Sequence, residues 1–99
     1  MKSNFKDIIN SKTPVLVDFF GEWCGPCQTL MPILKEVKDE LGDAIKIVKI
    51  DIDKNRALAE NFQVRSVPTL ILFKEGKAHW RKSGALPKNA IIDVINTHA

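Results

Sequence analysis

Apolar residues change their rhythm along this chain, and each change marks a new element. The run VLVDFF at residues 15–20 is apolar at every position but Asp18, which predicts a strand buried on both faces. Ahead of it, Phe5, Ile8 and Ile9 share one helical face, so residues 3–11 predict a short helix with Ser3 as its N-cap. From Cys27 to Leu41, the positions Leu30, Ile33, Leu34, Val37 and Leu41 keep helical spacing. Gly42 closes that helix. Pro32 lies inside it and is expected to remove a hydrogen bond and kink it. AIKIVKIDID, residues 44–53, predicts a second buried strand, and Asp53 or Asn55 is placed to cap a helix through RALAENF. TLILF predicts a third strand. KEGK is a turn with Gly76 at positive φ, and residues 77–82 return antiparallel as a fourth strand. PKNAIIDVINTHA predicts a last helix, with Pro87 at its start and Ile91, Ile92, Val94 and Ile95 toward the core.

The order is therefore helix, strand, helix, strand, helix, strand, strand, helix. Two strands joined by a long helix are expected to be parallel with a right-handed crossover, and the last two to form a hairpin. This is an α/β fold: a single mixed sheet with helices on both faces. At 99 residues the chain predicts one domain, 1–99, large enough to fold without staples.

Composition narrows the partners. A formal charge of +3, with basic residues scattered and no basic block, argues against nucleic acid and membrane surfaces. The segment MKSNFKDIINSK has no continuous apolar stretch of the kind an export signal needs, and no run approaches a membrane span. A reducing, cytoplasmic setting is the expectation. There a close cysteine pair is more often catalytic or metal-binding than a staple.

The only two cysteines stand as Cys24-Gly25-Pro26-Cys27, directly after the strand that carries Asp18. Such a pair can form half of a zinc site, close a small disulfide, or do redox chemistry. Structural zinc usually takes four ligands, and this chain offers no third cysteine. Its histidines, His79 and His98, are far apart and unpaired in sequence. A staple across so short a loop gains little. Redox chemistry is left as the leading use. At a helix start, unpaired N–H groups and the helix dipole stabilise a thiolate. Cys24 is expected to be the exposed nucleophile at the loop edge, and Cys27, one turn in, the shielded thiol. Gly25 is expected to let the backbone turn and a substrate chain approach. Pro26 has no N–H to lose in a first turn.

Here the chain resembles the thioredoxin family. WCGPC at residues 23–27 is that family's active-site sequence. VDFFGEWCGPC, PILKEV, VRSVPTLILFKEG and SGAL then follow in family order over about residues 12 to 99. The resemblance implies a thioredoxin fold and a protein-disulfide reductase. Cys24 would attack a substrate disulfide and Cys27 would resolve it. Asp18 matches the family's buried acid, which exchanges a proton near the second cysteine, and Lys49 the lysine placed beside that acid. Burial is expected to raise the Asp18 pKa. Pro68 matches a proline that the family keeps cis, facing the disulfide, which leaves the Val67 backbone free to pair with an incoming peptide. Trp23, Val67, Gly84 and Ala85 match the apolar rim around the thiols.

The resemblance also implies a monomer with no bound cofactor or metal. Its partners would be disulfide-containing proteins and a separate thioredoxin reductase, an NADPH-dependent flavoprotein. No Gly-x-Gly-x-x-Gly is present for a nucleotide. Three departures stand out. Trp23 comes about eight residues earlier than in many relatives, so the family's first strand is expected to be absent. Four strands then remain, with residues 45–51 at an edge open to self-association. Phe20 replaces a frequent tryptophan, and Ser83 a common apolar residue. Trp80 is expected to act as a lid over a helix rather than as a binding site. Two other readings compete: an oxidase or isomerase of the same fold, and a redox-inert binding module.

Overall fold

A computed structural model describes residues 4–99. The elements run α1 (Phe5–Ile9), β1 (Val15–Phe20), α2 (Gly25–Leu41), a short 3₁₀ turn (Gly42–Ala44), β2 (Lys46–Asp51), α3 (Arg56–Asn61), β3 (Thr69–Lys74), β4 (Lys77–Ser83) and α4 (Lys88–Thr97). The four strands make one sheet in the order β2-β1-β3-β4. β1 pairs parallel with β2 and antiparallel with β3, and β3 and β4 form an antiparallel hairpin.

Alternation along β1 and β3 sorts the core into two layers. Leu16, Leu70 and Leu72 face one way and pack against Leu30, Leu34 and Val37 of α2 and Ile91, Ile92 and Ile95 of α4. Val15, Val17, Phe19, Ile71 and Phe73 face the other way, toward α1 and α3. Phe5, Phe62 and Phe73 meet there edge-on, with ring centroids 5.4–5.7 Å apart. Both helical layers are thus filled by the same two central strands.

Local chemistry sets most boundaries. The Ser3 cap lies outside the described residues; the Asn4 side chain caps α1 by accepting from the Asp7 N–H at 2.9 Å. Gly42 ends α2 at φ 55°, ψ −127°, a conformation that favours glycine. Gly76 turns the hairpin at φ 82° beside Glu75 at φ 52°. α2 runs on through Pro32, which leaves the Gln28 carbonyl without its usual donor. Trp80, opposite Leu72, is half-buried against the α2–α4 layer, as a lid would be.

Two expectations need correction. β2 lies at the sheet edge, as the early position of Trp23 implies, and so is not the buried strand its composition suggests: Ile47, Val48 and Ile50 are only half-buried. α2 begins at Gly25, two residues ahead of its apolar periodicity, with Cys24 as its N-cap and Pro26 in its first turn as expected. Asn55 stands at the cap position of α3 without a capping bond; its side-chain amide donates instead to the Asp51 carbonyl at 3.0 Å. The histidines, distant in sequence, meet with ring centroids 6.2 Å apart. A register shift in β4 pairs Leu72 with Trp80 and Phe73 with Ala78, which leaves His79 as the extra residue of a bulge.

Phe73 is almost wholly buried at the meeting of three aromatic rings, so Phe73→Ala is expected to cost about 3–5 kcal/mol. Urea unfolding of the disulfide form would measure the loss. A loss under about 1 kcal/mol would mean that the aromatic layer does not anchor α1 and α3 to the sheet.

Candidate active site

β1 is central in the sheet and covered on both sides, and it ends at Gly21. The chain turns there through the Cys24 N–H, which donates to the Gly21 carbonyl at 3.1 Å, and enters α2. A Cβ on Gly21 would lie 2.7 Å from the Trp23 ring, so only glycine lets the indole fold back over the strand end. Trp23 is the one exposed large hydrophobic residue among those described, at 68%. It is not loose, because its indole N–H donates to the Asp53 carboxylate at 2.8 Å. Asp51 supports this loop by accepting from the Asp53 N–H at 2.9 Å.

Cys24 and Cys27 are joined as a disulfide at the start of α2. The Cys27 N–H points at the Cys24 sulfur at 3.1 Å, so Cys24 occupies the place of an N-cap acceptor. A sulfur there faces unpaired amides and the positive end of the helix dipole, the setting that lowers a thiol pKa. The expected contrast in exposure holds only in order. Cys27 is fully buried, but Cys24 is itself only 5% exposed. The Val67 carbonyl oxygen, 3.6 Å from the Cys24 sulfur, accounts for part of that cover.

The Val67–Pro68 bond is cis, as the resemblance implies. Gly84 adopts φ 96° and donates its N–H to the Pro68 carbonyl at 2.8 Å, which ties the segment after β4 to the proline. Val67, Pro68 and Gly84 therefore stand together on the Cys24 side of the disulfide, with Ala85 exposed next to Gly84. Gly25 needs no special backbone. It is the first helical residue, its φ is not positive, and the space where a Cβ would sit is open. Its expected role in turning the chain is not required, although the open space remains. Pro26 lies in the first helical turn, where no N–H is lost.

Asp18 shares the α2-facing side of β1 with Leu16. It is 0% exposed, and neither carboxylate oxygen has a hydrogen-bond partner. Desolvation pushes its pKa up from 3.8 to about 6, against the pull of the positive charge on Lys49. Lys49 is its direct neighbour in register on β2, yet its ammonium is exposed and makes no ion pair with the acid. Sequence reasoning missed Gly21 and the Trp23–Asp53 bond. A glycine directly after a buried strand was the signal for the first. For the second there was none, because thirty residues separate the partners along the chain. Among the described residues, no group of three or more His, Cys, Asp or Glu gathers to hold a metal ion.

Fold and site together define an α/β protein with a cysteine pair built into a helix N-terminus and a buried acid on the strand that leads to it. The thioredoxin family model matches residues 1–97, and the chain belongs to the thioredoxin family. It is 48% identical over 96 residues to the chloroplastic thioredoxin Y of Oryza sativa subsp. japonica, covering 96% of this chain and 57% of that protein. It is 44% identical over 95 residues to the thioredoxin of Rickettsia prowazekii, covering 95% of this chain and 90% of that protein. The chain thus spans little more than half the length of the chloroplastic relatives it matches, 57% and 56%. Among solved structures, a mutant thioredoxin from Halobacterium salinarum superposes with a TM-score of 0.87 at 35% identity, covering 98% of this chain and 84% of that one. The oxidised mitochondrial thioredoxin 3 of Saccharomyces cerevisiae gives a TM-score of 0.84 at 29% identity, over 94% of this chain and 86% of that one.

Two outcomes test the site. Because the folded-state pKa of Asp18 lies above its unfolded value, the folded protein keeps a proton between pH 3.8 and about 6 that the unfolded chain releases. Stability therefore falls as pH rises through that window and is level above it. Asp18→Asn is expected to remove the fall and to be more stable at pH 8 by up to about 3 kcal/mol, measured by denaturant unfolding of the oxidised forms. An unchanged slope in the variant would assign the pH dependence to other groups. Gly21→Ala is expected to push Trp23 out of place, moving one indole N–H resonance while that of Trp80 stays. Two unmoved indole signals would show that the strand end has room for a Cβ.

Proposed function

We propose that the protein is a protein-disulfide reductase that cycles between the Cys24–Cys27 dithiol and disulfide. The observation that carries this reading is the Cys24 sulfur, held at the helix N-terminus by the Cys27 amide and facing the Val67 carbonyl. A Cys24 thiolate attacks one sulfur of a substrate disulfide. A mixed disulfide forms, and the other substrate sulfur leaves as a thiolate. Cys27 then loses its proton and attacks the Cys24 sulfur. The Cys24–Cys27 bond forms and the second substrate thiolate leaves, so two electrons pass from the pair to the substrate.

Asp18 is the acceptor for the Cys27 proton. Its raised pKa suits exchange near neutral pH, which an ordinary surface aspartate does not match. Lys49 tunes the acid through its charge alone. Trp23, Gly25, Pro26, Val67, Pro68, Gly84 and Ala85 form the surface that receives the substrate, and the Val67 backbone pairs with an extended peptide. The partners are disulfide-containing proteins and an NADPH-dependent flavoprotein thioredoxin reductase that restores the dithiol. Residues 1–99 act as a single thioredoxin domain and as a monomer, in a reducing compartment such as the cytoplasm, and need no cofactor of their own.

Cys24→Ser is expected to abolish reduction of a model protein disulfide. Cys27→Ser is expected to accumulate the mixed disulfide on Cys24, visible by mass spectrometry without reductant. Equilibration of the wild-type pair with a thiol buffer separates the competing readings. A potential near about −270 mV, a value borrowed from the family, supports a reductant. One near about −120 to −180 mV assigns the pair to disulfide formation or isomerisation. If no reversible couple appears, or if function survives Cys24→Ser, the protein is a binding module.

A further inference from the structure

We propose that the outer edge of β2, with the groove between β2 and α2, binds an acidic segment of a partner protein as an added β-strand.

β2 is hydrogen-bonded only to β1 among the described residues. The amides of Lys46 and Ile52 point inward, donating to Pro14 and Phe20 of the β1 segment at 2.9 and 3.0 Å. In-plane direction alternates along a parallel strand, so the N–H and C=O groups of Ile47 and Lys49 point out of the sheet. No described group bonds to them. One alternation earlier, the outward Ile45 carbonyl already has a partner: Lys38 Nζ donates to it at 2.8 Å. The edge is thus satisfied at Ile45 and again at Asp51, whose carbonyl accepts from the Asn55 side-chain amide at 3.0 Å, and open at Ile47 and Lys49 between them.

The side chains of Ile47 and Lys49 project from this open stretch toward α2. They border a groove of ≈ 410 Å³ whose floor is Met31, Pro32, Leu34 and Ile47. Its charged rim is Lys35, Lys38 and Lys49, and no carboxylate lines it. Lys35 has a partner in Asp39 at 3.2 Å, but both are well exposed, and such a pair contributes little and re-forms readily. An apolar floor, an all-lysine rim and an unpaired strand edge fit an extended segment that carries apolar and acidic residues two positions apart, so that both face α2. Its backbone would bond to Ile47 and Lys49, its apolar side chains would enter the groove, and its carboxylates would meet the lysines.

A second copy of this chain fits less well. Added antiparallel about a two-fold axis, it would bring the Lys35, Lys38 and Lys49 of both copies to one face, where like charges repel. The surface is separate from the disulfide, so binding is measurable on the oxidised chain and does not depend on the proposed reductase activity.

The test titrates the oxidised full chain into a short, capped, fluorescent peptide of Val-Thr-Glu-Thr repeats, in which valine and glutamate share one face of the strand, read by anisotropy. The same peptide with lysine in place of glutamate is the control. The acidic peptide is expected to bind and the basic one not to. Binding should weaken with added salt. Lys35→Glu, on the exposed face of α2, should keep the fold and the redox couple and weaken binding about fivefold or more. Hydrogen exchange should show the Ile47 and Lys49 amides protected only when the peptide is present. Absence of acidic-peptide binding overturns the proposal, as does equal binding of both peptides or binding that leaves these two amides exchanging as before. A concentration-dependent dimer that protects the same amides without peptide also overturns it and gives the edge to a second copy.

Discussion

The complete burial of β1 is the constraint on which the rest of the structure depends. It is hydrogen-bonded on both edges and covered on both faces, so each side chain from Val15 to Phe19 lies in the interior. Four of these five side chains are apolar and join the two helical layers through a single strand. The fifth, Asp18, has no solvent and no hydrogen-bond donor. An ionised carboxylate there carries a desolvation cost, and the raised pKa is that cost expressed as a proton. The same strand also aims the chemistry. Where it stops at Gly21, the chain must turn at once into α2, and this turn makes Cys24 the cap of the helix. A fixed acid thus comes from within β1 and a fixed thiol pair from the turn that follows it.

Much of this was legible because the strong signals were local. Apolar spacing announces α1, β1, α2, β2, β3 and α4, a cap residue points to α3 and the Gly76 turn to β4, and the turns at Gly42 and Gly76 are marked by residues that tolerate positive φ. The errors share a cause as well. KIVKID has the composition of a buried strand, and no periodicity within the segment reports whether another strand lies beside it; its edge position was legible only from the short stretch before Trp23. The short pairing of His79 with His98 depends on a bulge in β4 and on where α4 ends, both products of tertiary packing.

The site was legible to a different depth. The spacing of Cys24 and Cys27 places both on the first turn of a helix, and Asp18 is conspicuous as an acid inside an apolar run. What the sequence hides is the state of each group. Cys24 is covered because a loop forty-three residues away brings the Val67 carbonyl against it. Gly25 looks like a required hinge but adopts ordinary helical geometry. Asp53 looks like a helix cap but holds the Trp23 indole instead. Side-chain type and spacing reveal which chemistry is available, whereas exposure and partners are set by distant segments.

Lys49 joins the two surfaces of the molecule. Its charge lowers the Asp18 pKa from within the sheet, and the same ammonium stands on the rim of the β2 groove. An acidic strand seated on that rim would screen the ammonium and let the Asp18 pKa rise further, holding the acid in its protonated form to higher pH. Linkage makes the effect mutual: a protonated Asp18 removes a negative charge from behind the rim and favours the acidic strand. Lys49 is exposed, so water and salt weaken the coupling. Its sign is nevertheless fixed by the register that puts Asp18 opposite Lys49. A proton held on the central strand and an anion held at the sheet edge would thus be felt through one side chain.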